Sequence, residues 1–574
     1  MAENSYPDIQ IRRLFWVILS LAALLVARLF WLQIIQHDYY ATFALDTHEI
    51  YKKLYPSRGE VYLKDERTGE ETPIVVNRQY YDIFAVPKEV TLAAASSTAT
   101  TLADMLHYNS AERNTLFNRL ANQNSQYAPV QKKVSDATMD LINQAQLPGV
   151  HAVSTEYRYY PENNLASTVL GFYGLDKDGA RVGLYGLEGY WQTILAGQNG
   201  FTQGSRGADG SWISVAGRTT KDAENGADVL LTIDRAIEFA ACERLRAGLK
   251  EYDAKSAALV MMNPKTGAII AMCSYPDFNP NEYSKTNDIS AFNNQAIFTA
   301  YEPGSVFKPI VMSMALDLNI VRPNTTFTDP CERKINNFTI HNALDKCYGL
   351  STMTQVLEES INTGMMWVEE QMEDKQFYDY AKKFGFGERT GVDLDTEATG
   401  DLSTLTKPGQ IYGAVASFGQ GITATPIQIA TAYSALANQG QMPKPFVVAE
   451  VRYPSGKIDK TEPVITGRPI TPRTAKLVSG MLVSVIENGH GKKARFNDYY
   501  IAGKTGTAQI AGKGGYTEET NHTFAGFAPA SDPEFVLVVK YEAPQRLWAE
   551  STVLPVFKDI INFTLNYYAV RNDR

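Results

Sequence analysis

An apolar run at residues 14–35 constrains this chain more than any other feature of its sequence. Its 22 residues can cross the hydrocarbon core of a bilayer, about 30 Å thick, as one helix. Arg12 and Arg13 precede the run and few basic residues follow it, which predicts a cytoplasmic N-terminus and an extracytoplasmic chain beyond residue 36. A cleaved signal peptide is the alternative, but the length of the run and the lack of a small-residue cleavage site favour an uncleaved anchor.

Arg28 lies inside this apolar run. A charged side chain in a bilayer is costly, so the guanidinium either extends to the interface or contacts a partner helix. Both readings stay open, and the second makes Arg28 a candidate partner contact in the membrane.

Composition argues against several classes of function. The 574 residues are 44% apolar and 20% charged, which is ordinary for folded protein and enough for two or more domains. The net charge of −9 argues against a nucleic-acid partner. The seven His residues lack metal-ligand spacing and the four Cys residues lack a CxxC pair, so we expect no metal and no cofactor.

The four cysteines fall into two pairs with different surroundings. Cys331 and Cys347 lie sixteen residues apart in a polar segment. They are either reduced or, outside the cytoplasm, joined as a disulfide. Cys242 and Cys273 lie in apolar stretches and are predicted to be core residues.

The residue patterns divide the chain into four parts. We expect a cytoplasmic tail at residues 1–13, the anchor at 14–35, a strand-rich extracytoplasmic pedestal at 36–227 and a catalytic domain at 228–574. Apolar runs at 256–262 and 268–274 flank a turn and predict a β-hairpin. Late strands at 524–528 and 535–541 and a terminal helix from about residue 555 complete an α/β (α+β) pattern.

Three short motifs follow one another in the second half of the chain. Ser305 and Lys308 form Ser-x-x-Lys at the start of an apolar helix, Ser360 and Asn362 form Ser-x-Asn in a loop, and Lys504 begins Lys-Thr-Gly on a strand. Residues three apart share a helix face, so we expect the Lys308 amine beside the Ser305 hydroxyl. A lysine whose pKa is lowered can take the proton of a serine and make it a nucleophile.

Each motif alone is weak evidence for an active site, and a second copy of one motif in the same chain shows why. Ser-x-x-Lys is common on solvated helix surfaces. A second Lys-Thr-Gly at residues 265–267 precedes the serine and falls in the predicted hairpin turn, where a solvated lysine beside a glycine is expected. The order of the three motifs therefore carries the argument.

This order resembles that of penicillin-binding proteins and serine β-lactamases. Other stretches resemble class B penicillin-binding proteins, which are monofunctional peptidoglycan D,D-transpeptidases. Two of them, 487–494 and 524–529, favour the division-specific, FtsI-like branch of this class. The matching stretches are 28–29, 32–33, 58–59, 186–188, 231–234, 303–305, 417–421, 487–494 and 524–529.

The resemblance implies a serine D,D-peptidase fold, with an antiparallel sheet flanked by helices, above the anchor and the pedestal. It implies that Ser305 attacks an acyl carbonyl, Lys308 accepts the proton and Ser360 relays it to the departing amine. Asn362 would bind the substrate amide and Lys504 its carboxylate. Thr505, Gly506 and Thr507 would line the substrate site, with the N–H groups of Ser305 and Thr507 as oxyanion hole.

The implied reaction cross-links stem peptides through a Ser305 acyl-enzyme in septal cell-wall synthesis, and β-lactams would acylate the same serine. The implied partners are a glycan polymerase of the SEDS family and other division proteins, at the cytoplasmic (inner) membrane. The alternatives are an elongation-type class B transpeptidase, a D,D-carboxypeptidase or β-lactamase, and a non-enzymatic β-lactam sensor or scaffold. Hydrolysis requires activated water, for which the sequence identifies no residue, and a sensor requires an output domain, for which the 13-residue tail is too short.

Overall fold

The structure is a computed structural model that describes residues 6–36, 49–205, 219–512 and 514–574. Its residues fall into two compact units, one from residues 1–56 and 197–225 and one from residues 57–196 and 226–574. Five residues of the predicted tail, and residues 37–48 and 206–218 of the predicted pedestal, lie outside the described part.

In chain order the strands are β1 Glu49–Leu54, β2 Val61–Lys64, β3 Glu71–Ala85, β4 Ala128–Val134, β5 Val150–Tyr159, β6 Phe172–Leu175, β7 Arg181–Leu184, β8 Gly200–Ser205, β9 Thr219–Lys221, β10 Asp228–Asp234, β11 Ser256–Met262, β12 Ile269–Tyr275, β13 Thr326–Thr328, β14 Glu332–Ile335, β15 Phe338–His341, β16 Leu350–Thr352, β17 Met442–Pro443, β18 Val448–Arg452, β19 Ile458–Lys460, β20 Ile465–Gly467, β21 Ala502–Gly512, β22 Gly515–Ala528 and β23 Phe535–Glu542.

The α-helices are α1 Tyr6–Phe30, α2 Leu92–Met105, α3 Ser110–Ala121, α4 Asp136–Gln144, α5 Ser167–Leu170, α6 Gly186–Tyr190, α7 Gln192–Ala196, α8 Arg235–Glu251, α9 Gln295–Phe298, α10 Lys308–Asp317, α11 Met353–Glu358, α12 Asn362–Glu370, α13 Asp374–Lys383, α14 Gln410–Ala416, α15 Pro426–Ala437, α16 Pro472–Asn488 and α17 Val553–Tyr567.

The first unit contains the apolar N-terminal helix and a small sheet. Helix α1 continues into a π-helical turn at Trp31–Ile35. Residues Arg13–Ile34 have a mean hydropathy of 2.2, and the most apolar 18-residue window among them contains no buried residue. The prediction of one N-terminal helix long and apolar enough to span a membrane is therefore confirmed. The sheet has the order β1-β8-β9.

The second unit is built on an antiparallel sheet of five strands, in the order β12-β11-β23-β22-β21. Strands β11 and β12 pair as the predicted hairpin, and the two predicted late strands are β22 and β23. Alternate residues of a strand point to opposite faces of its sheet. In β11, Ala258, Val260 and Met262 join one apolar core, while Ala257, Leu259 and Met261 join another.

Helices cover both faces of this sheet, as predicted. The first core contains α10, α15 and α16, and the second contains α8 and α17. Because both faces of β11 and β23 are buried, these strands are continuous apolar runs rather than alternating ones. Strand β21 is an edge strand, and it carries Lys504.

A mixed sheet of seven strands has the order β19-β18-β10-β2-β3-β4, with β5 also paired to β3. Strand β10 runs parallel to β2 and antiparallel to β18. This sheet therefore contains strands from both sides of the boundary predicted at residue 227. The segment between β3 and β5 also contains three helices, α2, α3 and α4.

A buried ion cluster lies at the end of this sheet. The Glu188 carboxylate is fully buried and accepts hydrogen bonds from the Arg58 and Arg158 guanidinium groups, at 2.7 and 2.8 Å. Burial alone would raise the pKa of Glu188, but the two arginines together hold it below its usual value. The glycine-rich stretch around Glu188 is thus part of the structural framework of the second unit.

Removing this carboxylate should destabilise the protein strongly. We expect Glu188→Ala to lower the free energy of unfolding by about 3–5 kcal/mol, because it leaves two buried arginines unpaired. Denaturant unfolding of the detergent-solubilised chain measures this loss.

The matched control is Glu282→Ala, which removes a surface pair with Lys285 whose side chains are 51% and 74% exposed. It should cost about 1 kcal/mol or less. Equal losses for the two variants would contradict the structural role of Glu188.

Candidate active site

The predicted nucleophile lies in a single 3₁₀ turn, Gly304–Phe307, directly before α10. Ser305 is partly exposed, whereas Val306, Phe307 and Lys308 are buried. Pro309 is in the first turn of α10, where its missing N–H breaks no helical hydrogen bond. The helix then buries every residue from Lys308 to Leu316 and anchors the turn in the core.

Two glycines allow the serine turn to approach its neighbours closely. Gly304 has φ +60°, and a Cβ there would lie 2.8 Å from Cβ of Ala508 on β21. A Cβ on Gly506 would lie 3.0 Å from the Pro303 carbonyl oxygen and 3.2 Å from the Val306 nitrogen. A side chain at either glycine would therefore separate the serine turn from β21.

The Lys308 amine is fully buried and makes three hydrogen bonds. It donates to the Ser360 carbonyl oxygen at 2.6 Å, the Ser360 hydroxyl at 3.1 Å and the Asn362 amide oxygen at 2.7 Å. Within the described residues none of its hydrogen bonds goes to Ser305, although the three-residue spacing led us to expect contact there. The structure thus brings the first two motifs together through Lys308.

Ser360 lies in the short connection between α11 and α12, and Asn362 is the first residue of α12. Ser360 has φ +57°, a left-handed conformation that costs a non-glycine residue about 1–3 kcal/mol. This conformation directs both its carbonyl and its hydroxyl at Lys308. The Asn362 side chain donates to the His341 carbonyl oxygen at 3.0 Å, so both ends of its amide are held.

The third motif places a second buried lysine near the first. Lys504 on β21 is fully buried and donates to the Thr505 carbonyl oxygen at 3.2 Å. Burial lowers the pKa of Lys504 to about 8, against a smaller opposing effect of Glu550. Burial and then the positive charge of Lys504 lower the pKa of Lys308 well below its usual value.

The two threonines of this motif have different surroundings. Thr505 is buried, whereas Thr507 is partly exposed and its hydroxyl accepts a hydrogen bond from the Ala549 N–H at 3.2 Å. The earlier Lys-Thr-Gly occupies a hairpin turn, as predicted. There the Lys265 amine is partly exposed and forms an ion pair with Asp532 at 2.8 Å.

Sequence reasoning missed the polar cluster that supports the Ser-x-Asn loop. Asp329 is 6% exposed and accepts hydrogen bonds from the Thr363 hydroxyl at 2.6 Å, the Asn342 amide at 2.9 Å and the Tyr348 N–H at 2.9 Å. Thr363 follows Asn362 directly. No short motif marks Asp329, because these three partners lie 13 to 34 residues away.

Two further groups near the motifs had no predicted role. The Glu302 carboxylate precedes the serine turn and accepts hydrogen bonds from the Gly421 N–H at 3.0 Å and the Tyr516 hydroxyl at 3.2 Å. His490 lies 3.6 Å from Glu550, and burial, followed by the charge of Lys504, lowers the pKa of this imidazole. The contacts of Glu302 and His490 join residues far apart in the chain, so the sequence did not predict them.

Both cysteine pairs are bonded in the structure. The Cys331–Cys347 bridge closes the segment that contains Asn342 and His341. Cys242 and Cys273 are buried, as expected of core residues, but they also form a disulfide, with their Cα atoms 5.9 Å apart. This second bridge could not be predicted, because its cysteines lie on a helix and a strand whose packing is not visible in the sequence spacing.

Comparisons with known proteins support the resemblance to penicillin-binding proteins. Residues 257–562 match the family described as the penicillin binding protein transpeptidase domain, and residues 53–231 match the penicillin-binding protein dimerisation domain. Stage V sporulation protein D of Bacillus subtilis is 31% identical over 93% of this chain and 82% of its own length. Peptidoglycan D,D-transpeptidase FtsI of Escherichia coli K12 is 29% identical over 97% of this chain and 91% of its own length.

A solved structure has the same fold. Penicillin binding protein 3 of Mycobacterium tuberculosis, in complex with aztreonam, superimposes with a TM-score of 0.69 over 91% of this chain and 98% of its own, at 24% identity. The first family match covers more than half of the 574 residues. The chain therefore belongs to the penicillin-binding protein transpeptidase family.

Proposed function

We propose that this chain is a peptidoglycan D,D-transpeptidase in which Ser305 forms the acyl-enzyme. One observation carries the assignment of residues: the buried Lys308 amine contacts Ser360 and Asn362 and is sensitive to the charge of Lys504. Residues of all three motifs thus act on the Lys308 amine, which is the group that would take the proton of Ser305.

In the first step Lys308 acts as the base. A protonated lysine amine has three donors and no lone pair. Its lowered pKa makes the neutral form easier to reach, and that form has two donors for Ser360 and Asn362 and one lone pair for the Ser305 proton. The Ser305 oxygen attacks the carbonyl carbon of the donor peptide, and the proton passes through Lys308 and the Ser360 hydroxyl to the departing D-Ala amine.

The substrate peptide would lie along the edge strand β21. An edge strand presents unpaired backbone groups, which can pair with an extended peptide as a further strand. Lys504, Thr505 and Thr507 would hold the terminal carboxylate. The N–H groups of Ser305 and Thr507 would stabilise the oxyanion, an effect worth about 3 kcal/mol per donor. An amine from a second stem peptide then resolves the acyl-enzyme.

The finer assignments are proposals as well. The FtsI-like stretches and the similarity to FtsI of Escherichia coli support a septal role, while the similarity to a sporulation protein keeps a sporulation role as the rival. The anchor would place its N-terminus in the cytoplasm and both the pedestal of residues 36–227 and the transpeptidase domain of residues 228–574 outside it. Arg28 would contact a polytopic partner of the SEDS type.

The first test of this function is covalent labelling by a fluorescent penicillin. Ser305→Ala should abolish labelling, because the acylated oxygen is missing. Ser313→Ala is the matched control, since Ser313 lies on α10 and bonds only to the Ile310 carbonyl within the described residues. Labelling that persists in Ser305→Ala would refute the acyl-enzyme, and rapid turnover of penicillin would favour a hydrolase.

The pH dependence of acylation should report both lysines. The second-order rate constant should rise with pH as Lys308 loses its proton, because only the neutral amine can accept one. It should fall with an apparent pKa of about 8 as Lys504 loses the charge that binds the substrate carboxylate. Stopped-flow acylation by a chromogenic β-lactam between pH 5 and about pH 10 measures both limbs.

Lys504→Arg is the variant that separates these two groups. An arginine stays charged across this range, so the falling limb should disappear even if the maximal rate is lower. A falling limb that stays near pH 8 in Lys504→Arg would contradict the assignment of that limb to Lys504.

The cluster around Asp329 should be required for acylation although Asp329 does not contact the serine turn. We expect Asp329→Ala to slow acylation on the order of 10²-fold, because it frees Thr363 and displaces Asn362. Asp345→Ala, in the same loop with an 83% exposed side chain, should leave the rate unchanged. Equal rates for both variants, each with an unchanged melting temperature, would refute the positioning role.

A further inference from the structure

The Cys242–Cys273 disulfide joins helix α8 to strand β12 at the edge of the five-stranded sheet opposite to β21. Both cysteines are 6% exposed, and both line a cavity of about 470 Å³ that is open to solvent. The other lining residues include Ser167, Phe239, Arg246 and Tyr275. The bridge is therefore within reach of a small molecule, although it lies in the second apolar core.

A buried carboxyl group accompanies this bridge. Glu238 precedes Cys242 by one helical turn and is fully buried. One of its carboxyl oxygens lies within 4.8 Å of both sulfur atoms. Within the described residues, Glu238, Cys242 and Cys273 are the one such trio of cysteine, histidine and acidic side chains.

The two oxygens of Glu238 differ in their partners. Oε2 accepts a hydrogen bond from the Met272 N–H at 2.8 Å, and Oε1 has no partner among the described residues. Burial raises the pKa of Glu238 to about 8, so the carboxyl is protonated at neutral pH. Since Oε2 serves as an acceptor, the proton belongs on Oε1.

A buried Glu238 carboxyl with an unpartnered Oε1 lowers the stability of the fold without benefit if the disulfide is only a structural cross-link. A buried hydroxyl donor without an acceptor is unfavourable, and an apolar residue would pack against a structural disulfide without that cost. The arrangement is useful when the disulfide is reduced, because a thiolate formed in an apolar setting needs a proton.

We propose that Cys242–Cys273 is an exchangeable disulfide, reduced by a dithiol that enters the cavity, and that Glu238 is the acid that protonates the leaving sulfur. This inference goes beyond the transpeptidase reaction and does not depend on it.

The reaction balances in two steps. A thiolate of the dithiol attacks one sulfur of the bridge and forms a mixed disulfide, while the S–S bond breaks and the leaving sulfur takes the Glu238 proton. The second thiol of the reductant then attacks the reductant's other sulfur atom in the mixed disulfide. This closes the oxidised dithiol and releases the second cysteine. The dithiol is oxidised by two electrons, and its two protons end on the released cysteine and on Glu238.

The other ionisable groups around the cavity do not replace Glu238. The Tyr275 hydroxyl donates to the Cys242 carbonyl oxygen at 2.9 Å, and burial raises the pKa of this phenol. Arg246 forms ion pairs with Glu243 and with Asp277. Beyond these, Glu162 lines the cavity, and Arg244 on α8 pairs with Glu251 and with Asp559 of α17, close to Tyr252 at the end of α8.

The test follows reduction of the folded full-length chain by dithiothreitol. Free thiols are alkylated at successive times and each cysteine is quantified by mass spectrometry, while near-ultraviolet circular dichroism checks that the chain stays folded. We expect Glu238→Gln to slow reduction of Cys242–Cys273 roughly 10²-fold, the usual contribution of a general acid. The Cys331–Cys347 bridge is the internal control and should react at the same rate in both proteins.

A second measurement needs no variant, so it decides even if Glu238→Gln does not fold. In the wild-type chain the reduction rate, divided by the thiolate concentration of dithiothreitol, should fall above a pH of about 8 for Cys242–Cys273 only. A flat profile would overturn the proposal. So would equal slowing of both bridges by Glu238→Gln, or a Cys242–Cys273 bridge that reacts only when the chain unfolds. Penicillin labelling of Ser305 is a separate readout, so failure here leaves the transpeptidase assignment standing.

Discussion

Two buried lysine amines, Lys308 and Lys504, are the constraint on which the rest of the site depends. Burying an ammonium group costs several kcal/mol even after the surroundings relax. The partners of Lys308 are uncharged oxygens, which compensate for lost water without fixing the proton as a carboxylate would. The chain thus keeps an amine in the core whose charge is easily removed, and this property is what a base for serine requires.

This arrangement explains why three distant parts of the chain must meet with little freedom. The serine turn is held by α10 in the core, the Ser-x-Asn loop by a left-handed Ser360, and Lys504 by the pairing of β21 with β22. Glycines at 304 and 506 let the turn and the strand approach more closely than side chains would allow. Each element alone is ordinary, and together they surround a Lys308 amine whose pKa is lowered first by burial and then by the charge of Lys504.

Much of the fold and of the site could be predicted from the sequence, because these features depend on residues close together in the chain. Lys308 is three residues from Ser305, the hairpin of β11 and β12 is a contiguous pattern, and the apolar run at 14–35 has the length of a bilayer. Such features depend on neighbours in the chain. The actual partner of Lys308 could not be predicted, because the spacing on one helix turn says nothing about a loop 52 residues away.

The remaining misses have the same physical origin. The sequence shows that Gly506 lacks a side chain, but not that a Cβ there would meet the Pro303 carbonyl oxygen of the serine turn. Asp329, Glu238 and the Cys242–Cys273 bridge all act through contacts across the fold, between residues that match no short motif. Buried polar groups need partners wherever the fold places them. Oε1 of Glu238 lacks such a partner among the described residues, and the role of acid proposed for Glu238 accounts for this unpaired group.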